Sequence, residues 1–270
     1  MIESLPEPIA SALVLAAGLV VGSFLNVCIH RLPRGESVVR PGSRCPSCGA
    51  SIRWYQNVPV ISWIALRARC GSCGARISAR YPFVEALAGV LALLLFRAYG
   101  ATPAFAFSSA FALALVVLFF TDLDHKLLPD VVTLPGFVVG AAAAWANPFL
   151  EGDAWRRTVL SLAGAALGAG FLWAVGAIWE RLRGVEAMGL GDVKMMAMVG
   201  AFTGPRGVLF TLFAASVAGA AVGVALIPLR GGSLKDTLPF GCFLAPAALP
   251  ALLWARPAVE AYLRLLIPGV

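Results

Sequence analysis

Two cysteine pairs in the first third of the chain have the spacing of metal-binding knuckles. In each pair two residues separate the thiols, and a glycine, Gly49 or Gly74, follows the second cysteine and permits a tight turn. The four cysteines are Cys45, Cys48, Cys70 and Cys73. Two such knuckles supply four thiolates, which bind zinc tetrahedrally and leave no position for water. The pattern predicts a structural Zn²⁺ site, and its alternative, two disulfides, is disfavoured in a reducing compartment.

Two aspartates at the ends of apolar runs form the second group of residues that could do chemistry. Asp122 follows the apolar run Ala110–Phe120 after a single threonine, and Asp192 stands in the stretch Gly-Leu-Gly-Asp that opens another apolar run. A carboxylate at membrane depth is costly, so its presence there indicates function. When two carboxylates are held close, one keeps its proton and polarises a peptide carbonyl while the other activates water. Asp122 and Asp192 are therefore the predicted catalytic residues of an aspartyl endopeptidase.

Polar residues around these aspartates allow a simpler interpretation. Four of them fit a solvated loop between two helices: Asp124, His125, Lys126 and Asp130. Asp192 fits a helix start, where a carboxylate interacts favourably with the helix dipole. The chain contains two histidines, so nucleophilic chemistry of the Ser-His-Asp kind has little support. Cys28 and Cys242 lie in or beside apolar runs without paired spacing, as small core residues do.

Composition places all of these residues in a membrane protein. Hydrophobic residues make up 60% of the 270 residues and charged residues 13%, whereas soluble domains have about 45–50% and about 25%. A membrane-spanning helix needs roughly 20 apolar residues. We therefore predict an all-α polytopic membrane protein with about eight transmembrane helices. The predicted spans are residues 8–29, 82–98, 103–121, 131–147, 158–179, 192–204, 207–229 and 241–255.

A strongly basic segment separates the first two predicted spans. Residues 31–80 contain nine arginines and one acid, Glu36. Short loops rich in Lys and Arg stay on the cytoplasmic side, so this segment is predicted to be cytoplasmic and the N-terminus external. Alternation of the spans then places the loops Asp122–Asp130, Arg181–Lys194 and Arg230–Lys235 on the cytoplasmic side, where the two aspartates meet. Nucleic acid is the alternative partner for such a cluster, but its position between apolar spans favours anionic lipid headgroups.

Five features occur together and in order along the chain. They are Gly22–Pro33, the two cysteine pairs, Asp122–Asp130, Gly189–Lys194 and Pro239–Gly241. In this combination the sequence resembles the bacterial type IV prepilin peptidases, which are bifunctional members of the GxGD membrane aspartyl proteases. The resemblance covers about residues 10–250.

The resemblance implies a substrate and a second activity. Asp122 and Asp192 match the catalytic aspartates of the family, whose members cut the short basic leader of prepilins and pseudopilins after glycine at the cytoplasmic face of the inner membrane. Many members then methylate the new N-terminal residue with S-adenosylmethionine, an activity associated with the N-terminal cytoplasmic part. The implied division is a first transmembrane helix (1–29), a zinc-binding, methyltransferase-associated module (30–81), a transmembrane peptidase core (82–255) and a C-terminal tail (256–270).

The sequence departs from the family pattern at two places, and two alternative functions stay open. Relatives often carry a glycine close before the third cysteine, where this chain has Arg67–Arg69, and the Pro-Phe-Gly motif is usually followed by proline, where Cys242 stands. The first departure leaves open a peptidase without methyltransferase activity. A proton-coupled membrane transporter with intramembrane carboxylates is the other alternative, although a transporter has no need of a cysteine module.

Overall fold

The computed structural model describes residues 6–184, 189–229 and 239–266, and within them the chain is helical. The helices are α1 (Glu7–Arg31), α2 (Ile61–Ala65), α3 (Arg80–Tyr99), α4 (Pro103–His125), α5 (Asp130–Ala142), α6 (Ala154–Arg183), α7 (Leu190–Leu229) and α8 (Gly241–Leu266). The described residues contain no sheet, only two isolated β-bridges. The predicted all-α fold with a cysteine module after the first helix is confirmed.

The helices have the length and composition of a polytopic membrane protein. Among the described residues, α1, α3, α4, α6 and α7 are long and apolar enough to cross a membrane, whereas α5 and the apolar part of α8, Gly241–Leu252, are shorter. Each of the eight predicted spans falls mainly on one of these helices, but the fourth, predicted to reach residue 147, is too long. α5 ends at Ala142, because the chain turns there into a short 3₁₀ segment, Ala144–Ala146.

The predicted break between the sixth and seventh spans lies inside α7. Gly204 has φ 68° and ψ −175°, a non-helical conformation that separates two helical segments. Glycine populates this left-handed region without the steric cost that a Cβ brings. The predicted basic loop Arg230–Lys235 lies outside the described residues. The predicted tail, residues 256–270, lies partly outside them, since α8 covers it only as far as Leu266.

The chain divides into two units, Met1–Val117 and Leu118–Val270. In the first unit, α1 packs closely against α3. A Cβ on Gly22 would lie 2.7 Å from the Cα of Glu85, and one on Gly18 would lie 2.8 Å from the Cα of Gly89. Small residues let membrane helices approach this closely. Asn26 adds a hydrogen bond, since its Nδ2 donates to the carbonyl of Tyr81 at 3.0 Å.

In the second unit, α7 packs against α5, α6 and α8. Gly164 of α6 and Gly200 of α7 are in backbone contact, so any side chain at either position would collide with the other helix. Ser161 Oγ donates to the carbonyl of Ala201 at 2.8 Å, and Asn147 Nδ2 donates to the carbonyl of Phe202 at 2.9 Å. These contacts fix the N-terminal half of α7, which begins two residues before Asp192.

Candidate active site and metal centre

Asp122 lies in the last turn of α4, where its side chain is buried. Asp122 is 5% exposed, and the preceding Thr121 is fully buried. Asp122 Oδ2 accepts the backbone N–H of Cys242 at 2.9 Å. That N–H belongs to the first turn of α8, where N–H groups have no partner within the helix. The carboxylate therefore accepts a hydrogen bond from an N–H that has no partner within α8. This hydrogen bond offsets part of the free-energy cost of burying the carboxylate.

The turn after α4 redirects the chain toward α5. Lys126 has φ 51°, and its N–H donates to the carbonyl of Asp122 at 2.8 Å. A residue in this left-handed conformation commonly ends a helix. Pro129 then precedes α5, which starts at Asp130. The turn holds Leu128 in a buried position between the two aspartate regions.

Asp192 lies in the first turn of α7 and is half-buried. Asp122 and Asp192 are linked through a shared neighbour, Leu128. Leu128 contacts the neighbours of both: a Cβ on Gly191 would lie 3.1 Å from Leu128 Cβ, and a Cβ on Gly241 would lie 3.2 Å from Leu128 Cδ1. The same Cβ on Gly241 would lie 2.7 Å from Asp122 Oδ2. The fold thus brings the chain segments that carry the two predicted carboxylates against the same residue, Leu128, and glycines stand where these segments pack.

Asp130 does not belong to a merely solvated loop. Both of its carboxylate oxygens accept hydrogen bonds from Lys194 Nζ, at 2.7 and 2.9 Å. The pair joins the first residue of α5 to the first turn of α7, two residues beyond Asp192. Nothing in the spacing of the two residues predicts this ion pair or indicates that α5 and α7 begin side by side.

The four predicted metal ligands form one cluster. Their Sγ atoms all lie within 4.8 Å of one another, with 3.9 Å between Cys45 and Cys73. Thiolates bound tetrahedrally to one zinc ion at about 2.3 Å lie about 3.8 Å apart. All six cysteines of the chain are free thiols, so the disulfide alternative finds no support. The cluster could hold a metal ion, and its all-thiolate donor set fits zinc.

The two halves of the cluster repeat the same backbone geometry. In the first knuckle the N–H of Cys45 donates to the carbonyl of Ala50, and the N–H of Gly49 donates to the carbonyl of Cys45, each at 2.9 Å. In the second knuckle the N–H of Cys70 donates to the carbonyl of Ala75 at 2.8 Å, and the N–H of Gly74 donates to the carbonyl of Cys70 at 2.9 Å. Gly49 and Gly74 have φ 70° and 71°, the left-handed conformation that their sequence positions predicted. Each knuckle is therefore preformed by local hydrogen bonds.

Backbone donors also favour thiolates in this cluster. The N–H groups of Ser72 and Cys73 lower the pKa of Cys70 to about 6. The N–H groups of Cys48 and Ser47 likewise lower the pKa of Cys45 below its usual value. A thiolate is the form that binds a metal ion, and these donors favour it at Cys45 and Cys70. At Cys73 the N–H of Ala75 lowers the pKa, but burial and contacts with the neighbouring thiols outweigh it and raise the pKa to about 11.

The departure at Arg67–Arg69 leaves the local turn intact. Arg67 and Ala68 have φ 50° and 56°, a conformation that glycine would adopt more cheaply by about 1–2 kcal/mol per residue. The N–H of Ala68 nevertheless donates to the carbonyl of Trp63 at 2.9 Å, and the carbonyl of Ala68 accepts the N–H of Ile77 at 2.8 Å. The backbone that precedes the third cysteine is thus formed without glycine.

Two buried residues make contacts that the sequence pattern did not predict. Cys242 is buried, as predicted for a core residue, but its backbone N–H is the donor to Asp122. Glu85 is an acid within α3 that is 8% exposed, and it accepts the N–H of Val60 at 2.7 Å. The rule that singled out Asp122, an acid inside an apolar span, would also have found Glu85.

Two protein-family descriptions match consecutive parts of the chain. Residues 16–99 match the bacterial peptidase A24 N-terminal domain, and residues 109–224 match the type IV leader peptidase family. The first match contains the cysteine cluster and the second contains both aspartates. No solved structure matches the chain significantly.

Curated relatives resemble the chain over most of its length. A prepilin leader peptidase/N-methyltransferase of Stutzerimonas stutzeri is 34% identical over 96% of this chain and 96% of the relative. The protein of the same name from Pseudomonas aeruginosa is 34% identical over 96% and 95%. That of Myxococcus xanthus is 42% identical over 83% of this chain, which spans 65% of that relative's length. The chain belongs to the type IV leader peptidase family.

Proposed function

We propose that the chain is a membrane aspartyl endopeptidase that removes the leader of type IV prepilins or pseudopilins and then methylates the new N-terminal residue. The observation that carries the proposal is that Leu128 contacts both Gly191, which precedes Asp192, and Gly241, which lies against Asp122, in a chain of this family. The names of the relatives, prepilin leader peptidase/N-methyltransferase, supply the substrate and the second activity.

Cleavage follows from the chemistry of two neighbouring carboxylates. One carboxylate, ionised, takes a proton from a water molecule, whose oxygen then attacks the scissile carbonyl. The other carboxyl group, protonated, donates a hydrogen bond to the carbonyl oxygen and later delivers a proton to the leaving amine. Gly191 and Gly241 let the chain pack tightly against Leu128 and Asp122, where a Cβ at either position would be crowded. The proposed catalytic residues are therefore Asp122 and Asp192.

The location of the substrate explains why this site belongs at a membrane face. A prepilin leader is basic and remains in the cytoplasm, while the apolar helix that follows it lies in the bilayer. We assign the site to the cytoplasmic face of the bacterial inner membrane, the side that the arginine-rich segment 31–80 favours. In this assignment residues 82–255 form the peptidase core, and residues 30–81 form the metal-binding module with the methyltransferase-associated role.

The cysteine cluster has a structural role in this proposal. Cys45, Cys48, Cys70 and Cys73 are the proposed ligands of one Zn²⁺, and four protein ligands leave no position at which the ion could activate water. Metal binding would instead stabilise a module whose described residues form only short helices and turns. S-adenosylmethionine is the proposed methyl donor, and it supplies an electrophilic methyl group when bound.

Intact mass spectrometry tests both activities in one experiment. A purified prepilin is incubated with the detergent-solubilised protein, with and without S-adenosylmethionine. We expect loss of the leader in both samples and a further gain of about 14 Da, one methyl in place of hydrogen, only with the donor. Leader loss without that gain would leave a peptidase alone, and an uncut prepilin would contradict the proposal.

A further inference from the structure

A cavity of about 360 Å³ lies within the first unit, between the cysteine module and the helices α1 and α3. Its volume falls at the lower end of the range of about 300–1,000 Å³ that small-molecule sites occupy. Residues of all three parts line it, including Asn26 of α1, Cys45 and Cys70 of the module, and Glu85 of α3. The aspartate site does not contribute to it, so the cavity is available for a different molecule.

Glu85 is the most unusual residue of the cavity wall. It lies within α3, one of the helices apolar enough to cross a membrane, and its side chain is 8% exposed. One carboxylate oxygen accepts the N–H of Val60 at 2.7 Å. A neutral acceptor would suffice for that hydrogen bond, and burying a charge costs more than burying an amide. A negative charge facing the cavity therefore suits a ligand that carries a positive charge.

The rest of the wall offers complementary groups for a larger polar ligand. Trp63 presents an aromatic surface, and its Nε1 donates to the carbonyl of Ile77 at 3.2 Å, which fixes the ring. Arg44 and Arg76 also line the cavity and could bind a carboxylate. These side chains together fit a ligand that carries a positive charge, a carboxylate and a flat heterocycle.

We propose that this cavity binds S-adenosylmethionine, with Glu85 facing the positively charged methionine end of the donor. The proposal rests on the proposed methyltransferase activity and assigns residues to it. The carboxylate of the methionine end matches Arg44 and Arg76, and the positively charged sulfonium matches Glu85. The flat adenine ring matches Trp63. Because Cys45 and Cys70 line the same cavity, loss of the module's structure would also remove one wall of the donor site.

A charge-neutral substitution tests the role of Glu85. Glu85→Gln keeps an acceptor for the N–H of Val60 but removes the negative charge. Glu36→Gln is the matched control, because Glu36 is exposed and does not line the cavity. Binding of radiolabelled S-adenosylmethionine to the full-length protein in detergent is measured by equilibrium dialysis. We expect the dissociation constant to rise at least tenfold for Glu85→Gln and to stay unchanged for Glu36→Gln.

A second variant covers the case in which Glu85→Gln fails to fold. Ser51 is exposed and lines the cavity, so Ser51→Trp fills space without burying a new group in the fold. It should weaken donor binding while the zinc content stays at the wild-type level. Wild-type affinity in both variants would overturn the proposal and leave the proposed function untouched. A wild-type protein that cleaves prepilin but binds no donor would instead contradict the methyltransferase activity itself, and this inference with it.

Discussion

The cysteine module and the aspartate site hold their functional side chains in different ways. Each cysteine knuckle is formed by hydrogen bonds within six residues, and the two knuckles are nearly identical. The aspartate site joins residues that lie 120 positions apart, as the hydrogen bond from Cys242 to Asp122 does. The module therefore depends on local turns, and the aspartate site depends on how α4, α5, α7 and α8 pack. A change that disturbs one region should spare the chemistry of the other.

The largest effect is expected where helix packing positions Asp192. Gly164→Leu would drive a side chain into the backbone of α7 at Gly200, and overpacking of this kind costs about 1–3 kcal/mol or more. We expect leader cleavage to be lost and the melting temperature to fall. Gly170→Leu is the control on the same helix, since a Cβ there meets open space. Equal cleavage by both variants would show that the α6–α7 contact does not support the site.

Removal of a metal ligand should separate the two regions. Cys45→Ser takes away one of four thiolates in the cluster, so zinc measured by atomic absorption should fall well below one ion per chain. Methylation of an already cleaved pilin should be lost with it, because Cys45 also lines the proposed donor cavity. Leader cleavage per folded molecule should be reduced far less. Cys28→Ser is the control, and unchanged zinc in Cys45→Ser would contradict the proposed ligand set.

The ion pair between Lys194 and Asp130 should have a moderate effect. Lys194→Ala removes a partly exposed pair of a kind worth up to about 1 kcal/mol, so cleavage should fall about fivefold or less as the starts of α5 and α7 loosen. The double exchange Asp130→Lys with Lys194→Asp should recover part of this loss. Additive losses in the double variant would indicate that the two residues act separately.

Substitution of Cys242 should have the smallest effect. Cys242→Pro removes the N–H that donates to Asp122, yet proline is tolerated in the first turn of a helix. We expect cleavage to fall no more than about threefold, which corresponds to about 0.7 kcal/mol, the lower part of the range of about 0.5–1.5 kcal/mol that one hydrogen bond contributes. Cys242→Ala keeps the N–H and should retain wild-type cleavage. A larger loss in Cys242→Ala than in Cys242→Pro would mean that the thiol, and not the N–H, supports the site.

Local patterns predicted the cysteine module well because its geometry is local. The Cys-x-x-Cys-Gly spacing determines both turns, and the four sulfurs meet as the spacing indicates. Apolar runs likewise predicted where the helices lie, including the break that Gly204 makes in α7. The end of α5 at Ala142 was missed, because the apolar composition continues for four residues after the helix has ended.

Long-range packing accounts for what could not be predicted. The spacing of Asp122, Leu128 and Gly241 gives no sign that they are in contact, and the pairing of Asp130 with Lys194 depends on how α5 and α7 are arranged. Glu85 was missed for a different reason. It was counted as part of a span, although an acid within an apolar helix is itself a sign of function.

The most direct test of the account is prepilin cleavage by Asp122→Asn and Asp192→Asn, followed by intact mass. Asparagine keeps the size of each side chain but can neither accept the proton of water nor donate one to the leaving amine. Each single variant should leave the prepilin uncut, a loss of at least about 10³-fold, while binding of labelled S-adenosylmethionine stays at the wild-type level. Substantial leader loss with either variant would contradict the proposed pair of catalytic aspartates.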